Sequence, residues 1–141
     1  MKTWRLVLVA LAVLAAVVVL WPSAADPGEK KVEKRVFELR TYFAADGKMD
    51  ALHARFRNHT CKLLEKHGMQ LIGFWTDDKE PQRKLIYLVA HKSKAAADAS
   101  WKAFRADADW IAVKKKSEEG GSLTEKIEIV WLNPTEYSAL R

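Results

Sequence analysis

Beyond Val36 the spacing of the apolar residues switches repeatedly between two periods, and the order of those switches restricts the fold more than any single residue does. Val36–Phe43 alternates, with Phe37, Leu39, Thr41 and Phe43 on one side and Val36, Glu38, Arg40 and Tyr42 on the other; a period of two marks a strand. Ala44-Ala45-Asp46-Gly47 turns the chain. Over Lys48–His67 the positions Met49, Leu52, Phe56, Leu63 and His67 recur at helical steps, and Gly68 stands where a C-terminal cap is expected. Leu71–Thr76 and Lys84–Ala90 read as strands on either side of a charged loop, Asp77 to Arg83, that contains Pro81. Ser93 then caps a second helix with the stripe Ala97, Trp101 and Phe104, and a break at Asp107-Ala108-Asp109 leads into a short helical turn, Trp110 to Lys116. After Gly120-Gly121-Ser122, the segment Glu125–Leu132 alternates again until Pro134 stops it. The order is β-α-β-β-α-β, which predicts a ferredoxin-like α+β fold with a four-stranded antiparallel sheet.

In that topology the first and third strands are central, and the helices cover one face. The run Leu85-Ile86-Tyr87-Leu88-Val89-Ala90 is apolar on both faces, the pattern of a strand covered on both sides. A monomer rarely leaves a contiguous apolar patch above a few hundred Å² in water, so the sequence predicts a homodimer in which two sheets pair face to face into an α/β-barrel. On this reading Glu38, Arg40 and Tyr42 point into the barrel interior, while Phe37, Leu39 and Thr41 lie under the helices. An unpaired buried charge costs several kcal/mol. Glu38 and Arg40 must therefore satisfy each other, a partner strand or a ligand.

The first residues have a different character. Lys2 and Arg5 precede sixteen residues without a charge, Leu6 to Trp21; Pro22 breaks the run and Ser23-Ala24-Ala25 supplies small residues. That layout predicts a secretory signal over residues 1–25, with export to a periplasmic or extracellular space. The alternative is an uncleaved anchor, residues 6–21, which is short against the roughly 20 apolar residues of a bilayer span. Residues 26–34 form a polar linker and residues 35–141 the domain. Losing residues 1–25 removes two basic residues and no acids, so the formal balance falls from +6 to +4. The densest basic cluster, Lys114-Lys115-Lys116, is followed at once by Glu118-Glu119. Nucleic acid binding would call for a broader basic stripe with interleaved aromatics, and none is expected here. Membrane contact is expected only through the N-terminal segment, if it is retained. Cys61 is the single cysteine, so no internal disulfide supports the domain; its mid-helix position suits a half-buried filler.

Few residues offer chemistry. His53 and His59 are six apart and face different sides of a helix, and no His-Glu-x-x-His or comparable spacing occurs, so no metal is expected. Glycine-rich phosphate loops, a G-x-S-x-G elbow and the dinucleotide fingerprint are absent from the sequence as well, and no cofactor is expected. His91, at the end of the third strand, can reach the mouth of a barrel. Tyr87 could place a hydroxyl in the cavity, and Trp75, like Trp131, could line it in one of two strand registers. The candidate ligand-binding residues are thus Glu38, Arg40, Tyr42, Trp75, Tyr87 and His91; no catalytic residue is assigned.

Several short segments, taken together and in order, carry a family resemblance. They are Val36-Phe37-Glu38-Leu39-Arg40-Thr41-Tyr42, Lys66-His67-Gly68-Met69, Gly73-Phe74-Trp75, Leu88-Val89-Ala90-His91, Ala99-Ser100-Trp101-Lys102-Ala103-Phe104 and the closing Pro134-Thr135-Glu136-Tyr137-Ser138. In this respect the chain resembles the NIPSNAP family over Arg35–Leu140. The resemblance implies a dimeric α/β-barrel of ferredoxin-like subunits but no catalytic residues. Animal members are associated with mitochondria and organelle turnover through protein contacts; a long apolar leader departs from an amphipathic transit peptide and argues against that role here. The expected function is a non-catalytic module that binds a small apolar or carboxylate-bearing molecule. The alternatives are a protein-interaction scaffold, presenting its edges or the Asp77–Arg83 loop, and an enzyme like the cofactor-independent monooxygenases and isomerases of related barrels. In the enzyme, Arg40 would stabilise an enolate or carboxylate and Glu38 or His91 would move protons.

Overall fold

The computed structural model describes residues 35–141, so the expected leader and linker, residues 1–34, lie outside the described residues. The elements are β1 (Val36–Ala44), α1 (Met49–Arg55), a π-helical turn (Phe56–Thr60), α2 (Cys61–Lys66), β2 (Gln70–Thr76), β3 (Lys84–His91), α3 (Lys94–Ala106), α4 (Ala108–Ser117) and β4 (Thr124–Leu132). The four strands form one sheet in the order β2-β3-β1-β4, with every neighbouring pair antiparallel. This is the ferredoxin-like α+β arrangement that the alternating periods predict, and each strand end lies within one residue of its predicted position.

Local chemistry places the ends. Ser93 Oγ accepts the amide of Ala96 at 3.1 Å and starts α3. Asp107 starts α4, accepting from the amides of Asp109 and Trp110. Gly68, at φ 78°, closes α2 in the left-handed region. The first helix differs from the unbroken helix expected over Lys48–His67. Leu52, Phe56, Thr60 and Leu64 are all buried, yet every fourth residue of a regular α-helix drifts about 40° around the axis, because each residue advances about 100°. The wider π turn, with the Cys61 amide bonded to the Phe56 carbonyl, takes up that drift. It keeps Thr60 and Leu64 on the core side.

The pairing register settles which side of the sheet meets the helices, and it reverses the expected assignment. Glu38, Arg40 and Tyr42 stand opposite Val89, Tyr87 and Leu85 of β3, and these belong to the layer beneath the helices. There Tyr42, Phe56, Phe74 and Tyr87 form an aromatic cluster with ring centres 5.3–5.9 Å apart, continuous with Met49, Leu64, Leu85, Val89 and Phe104. Leu39 and Thr41, with Ile86 and Leu88 of β3 and Val130 of β4, lie on the opposite, open face. Phe37 shares that face but is buried, beside a cleft lined by Leu132, Pro134 and Leu140 of the C-terminal segment. Edge strand β4 carries exposed apolar residues on both sides, Ile127, Ile129 and Trp131 on the helix side and Val130 and Leu132 on the other. Cys61 is a free, half-buried thiol, and burial raises its pKa. Among the described residues, no helix is long and apolar enough to cross a membrane.

Candidate functional site

A carboxylate under a helix layer must find donors there, because ionised Glu has only acceptors. Glu38 is 1% exposed and has three. Oε2 accepts from the indole Nε1 of Trp101 on α3 at 2.6 Å and from Nε2 of His91 at the end of β3 at 3.0 Å, while Oε1 pairs with Nη1 of Arg40. Burial pushes the Glu38 carboxyl up, but the hydrogen bonds from His91 and Trp101 and the charge of Arg40 outweigh it and hold the group below its ordinary range. Because the carboxylate stays ionised, His91 must carry its proton on Nε2. Glu38 is therefore the centre of a network that ties β1 to β3 and α3.

Arg40 is held on one side by Glu38. Its guanidinium lies 4.1 Å from the centre of the Trp101 ring, a cation–π contact. Its Nε is buried with no acceptor, and 11% of the side chain remains exposed. The exposed part looks onto a groove of about 470 Å³ between α3 and β4, within the size range of small-ligand sites. Trp101, Lys102 and Arg105 of α3 line one wall, and Ile129 and Trp131 of β4 the other. Asp98 also lines it but is paired with Lys94. Neither Lys102 nor Arg105 has an ionic partner among the described residues. The groove thus offers cations at its floor and along α3, facing two large apolar side chains. That arrangement suits an anion attached to an apolar body.

Of the six residues singled out in the sequence, Glu38, Arg40 and His91 meet directly. Tyr42 and Tyr87 stand behind them: the Tyr87 hydroxyl donates to that of Tyr42 at 3.1 Å, and burial raises the Tyr87 phenol well above its usual range. Those two are core residues beside the site. Trp75 is not part of it; it pairs with Ile86 on the open face, 52% exposed, with its ring folded over Gly73. Trp101, which helical spacing assigns to the core, is a core residue; sequence reasoning missed its second role as a donor to Glu38 and a wall of the groove, and missed Lys102 and Arg105. The one available signal was that Trp101 and Arg105 are four apart, on one helix face. Among the described residues, no cluster of His, Cys, Asp and Glu has the geometry to hold a metal ion.

The sequence profile of the NIPSNAP family matches residues 37–139. A crystal structure of a NIPSNAP family protein with unknown function from Agrobacterium tumefaciens superposes with a TM-score of 0.68 at 19% identity, covering 78% of this chain and 96% of that one. A second NIPSNAP family protein from the same bacterium gives 0.67 at 25% identity, covering 77% and 92%. A candidate antibiotic biosynthesis monooxygenase from Nitrosomonas europaea gives 0.54 at 11% identity, covering 74% and 94%; at that distance only the fold is shared. No curated protein matches the chain.

Proposed function

The chain belongs to the NIPSNAP family, and within it we propose a non-catalytic module that binds a small, partly apolar carboxylate in the groove between α3 and β4. One observation carries this reading. Arg40 sits at the floor, engaged by Glu38 on one side and 11% exposed, with two cations that have no ionic partner among the described residues on the wall above it. A carboxylate there would gain charge-assisted hydrogen bonds, typically about 1.5–3 kcal/mol each, while its apolar part covers Ile129 and Trp131. Titrating the full chain with hexanoate and benzoate, and with the matching amides, tests it. The acids should bind saturably, the amides should not, and Lys102→Glu with Arg105→Glu should abolish binding. Equal binding of acid and amide, or acid binding untouched in the double variant, refutes it.

The homodimer belongs to the same proposal. What supports it is the open face, where Leu39, Ile86, Leu88 and Val130 lie side by side with no helix over them among the described residues. Because the groove lies on the other side of the sheet, pairing and binding are separable. Leu88→Asp should convert a sedimenting dimer into a monomer that still binds the acid; a wild-type chain that sediments as a monomer at high concentration rules the dimer out. Export is the third element, supported by the leader pattern, and fractionation of the producing cells tests it. The enzymatic alternative needs a proton acceptor. Of its two candidates, Glu38 and His91, Glu38 is poorly suited, since three donors hold it ionised and depress its basicity. In the scaffold alternative a partner meets the sheet edges or the Asp77–Arg83 loop, of which Asp77 is already engaged by the amides of Lys79 and Glu80 and by Lys84.

A further inference from the structure

Away from Arg40, a second groove of about 450 Å³ runs between the first helix and α4. Small side chains keep it open: Ala51 and Ala54 on α1, Ala112 and Val113 on α4. Helical spacing brings Arg55 and Asn58 into the first row and Lys116 and Ser117 into the second. Arg55 is the buried member, with its side chain 4% exposed. Its Nη1 donates to Glu118 at 2.9 Å and to Ser117 Oγ at 3.3 Å, and its guanidinium lies 5.3 Å from the Trp110 ring centre. Its Nε, like that of Arg40, is buried without an acceptor among the described residues, and such a group in a native fold calls for an explanation. Asn58, His59 and Lys116 stand exposed around it. Among the described residues no carboxylate lines this groove; Glu118 pairs with Arg55 and Lys114 but does not line it. In contrast to the Arg40 groove, where Glu38 and Asp98 contribute, the lining here has charge of one sign only.

We infer that this groove is a second ligand site, which takes a singly anionic amphiphile of the medium-chain acyl carboxylate class. The headgroup lies against Arg55, Lys116 and Asn58, and the chain runs along the alanine and valine walls. The inference does not depend on the Arg40 groove, since the two share no residue.

The test is calorimetric titration of the full chain with sodium octanoate, with octanamide as the uncharged control, while the Arg Nε–H resonances are followed by NMR. Octanoate should bind at least tenfold more tightly than octanamide and shift one Arg Nε–H. Ala112→Trp fills the groove at an exposed position and should weaken octanoate at least tenfold, with circular dichroism and melting unchanged. If that variant does not fold, Lys116→Glu should weaken octanoate by a similar factor. Lys102→Glu, in the other groove, should leave this binding intact. Octanoate affinity that is absent, that matches octanamide, or that survives both Ala112→Trp and Lys116→Glu overturns the inference; so does affinity lost in Lys102→Glu instead.

Discussion

Trp101→Phe tests the Glu38 network with little change of shape. The phenyl ring can still pack edge-on against Phe104, whose ring centre is 5.6 Å away, but the indole N–H that donates to Glu38 at 2.6 Å is gone. A hydrogen bond to a buried charge contributes about 1.5–3 kcal/mol. The smaller ring buries less surface, about 1 kcal/mol at 25 cal/mol per Å², and weakens the stacking of Arg40 by about 0.5 kcal/mol. The expected loss is about 3–4.5 kcal/mol, which for a domain of this size lowers Tm by roughly 15–25 °C. The loss should also depend on pH. The folded Glu38 carboxyl titrates below its ordinary range, hence below the unfolded value of about 4.3. Its contribution is complete above that pH and disappears as pH falls through the folded value. Urea unfolding of wild type and variant at pH 7 and pH 3 should therefore show a smaller difference at pH 3. A loss under about 1.5 kcal/mol at pH 7, or one equal at both pH values, would mean that the indole packs without serving the carboxylate.

Other expectations follow from single observations. Glu38, Asp77, Asp107 and Glu118 are all held below their ordinary ranges by hydrogen bonds and neighbouring cations, so stability should fall steadily with acid below about pH 4, as a series of denaturant melts will show; a flat profile down to pH 2 contradicts those contacts. Ser93→Ala removes the bond to the Ala96 amide and should cost about 1 kcal/mol by the same measurement. Gly73→Ala places a methyl 2.6 Å from the Trp75 ring; because that ring is an exposed outer side chain, it should swing away, shifting tryptophan fluorescence while stability changes by less than about 1 kcal/mol. A large destabilisation there would mean that the ring is pinned.

Strand and helix identities were legible because β1 and β4 alternate, α3 carries a helical stripe and β3 is a short apolar run between turn signals, and because Gly68, Ser93 and Asp107 are chemically suited to the ends they form. The face assignment was not legible. β3 is apolar on both sides, so alternation alone could not tell which side met the helices, and with it which side held Glu38 and Arg40. What makes their placement beneath the helices affordable is an indole and an imidazole supplied by Trp101 and His91, 63 and 53 residues along the chain from Glu38. No local pattern encodes such partners. The π turn escaped for a similar reason: Leu63 and Leu64 both fit a helical stripe, and only three-dimensional packing decides how the turn absorbs the mismatch. Arg40 and Glu38 were recognised as a pair in need of company, but the groove beside them depends on Lys102 and Arg105, which in sequence look like an ordinary wet helix face.

The Glu38 network also has a consequence for the rate of folding. Its carboxylate and Arg40 lie together on the first strand of the domain, whereas its other two donors come from the end of the third strand and from the helix after it. The full set of contacts therefore joins parts of the chain that are far apart in sequence, and contacts of that kind slow folding.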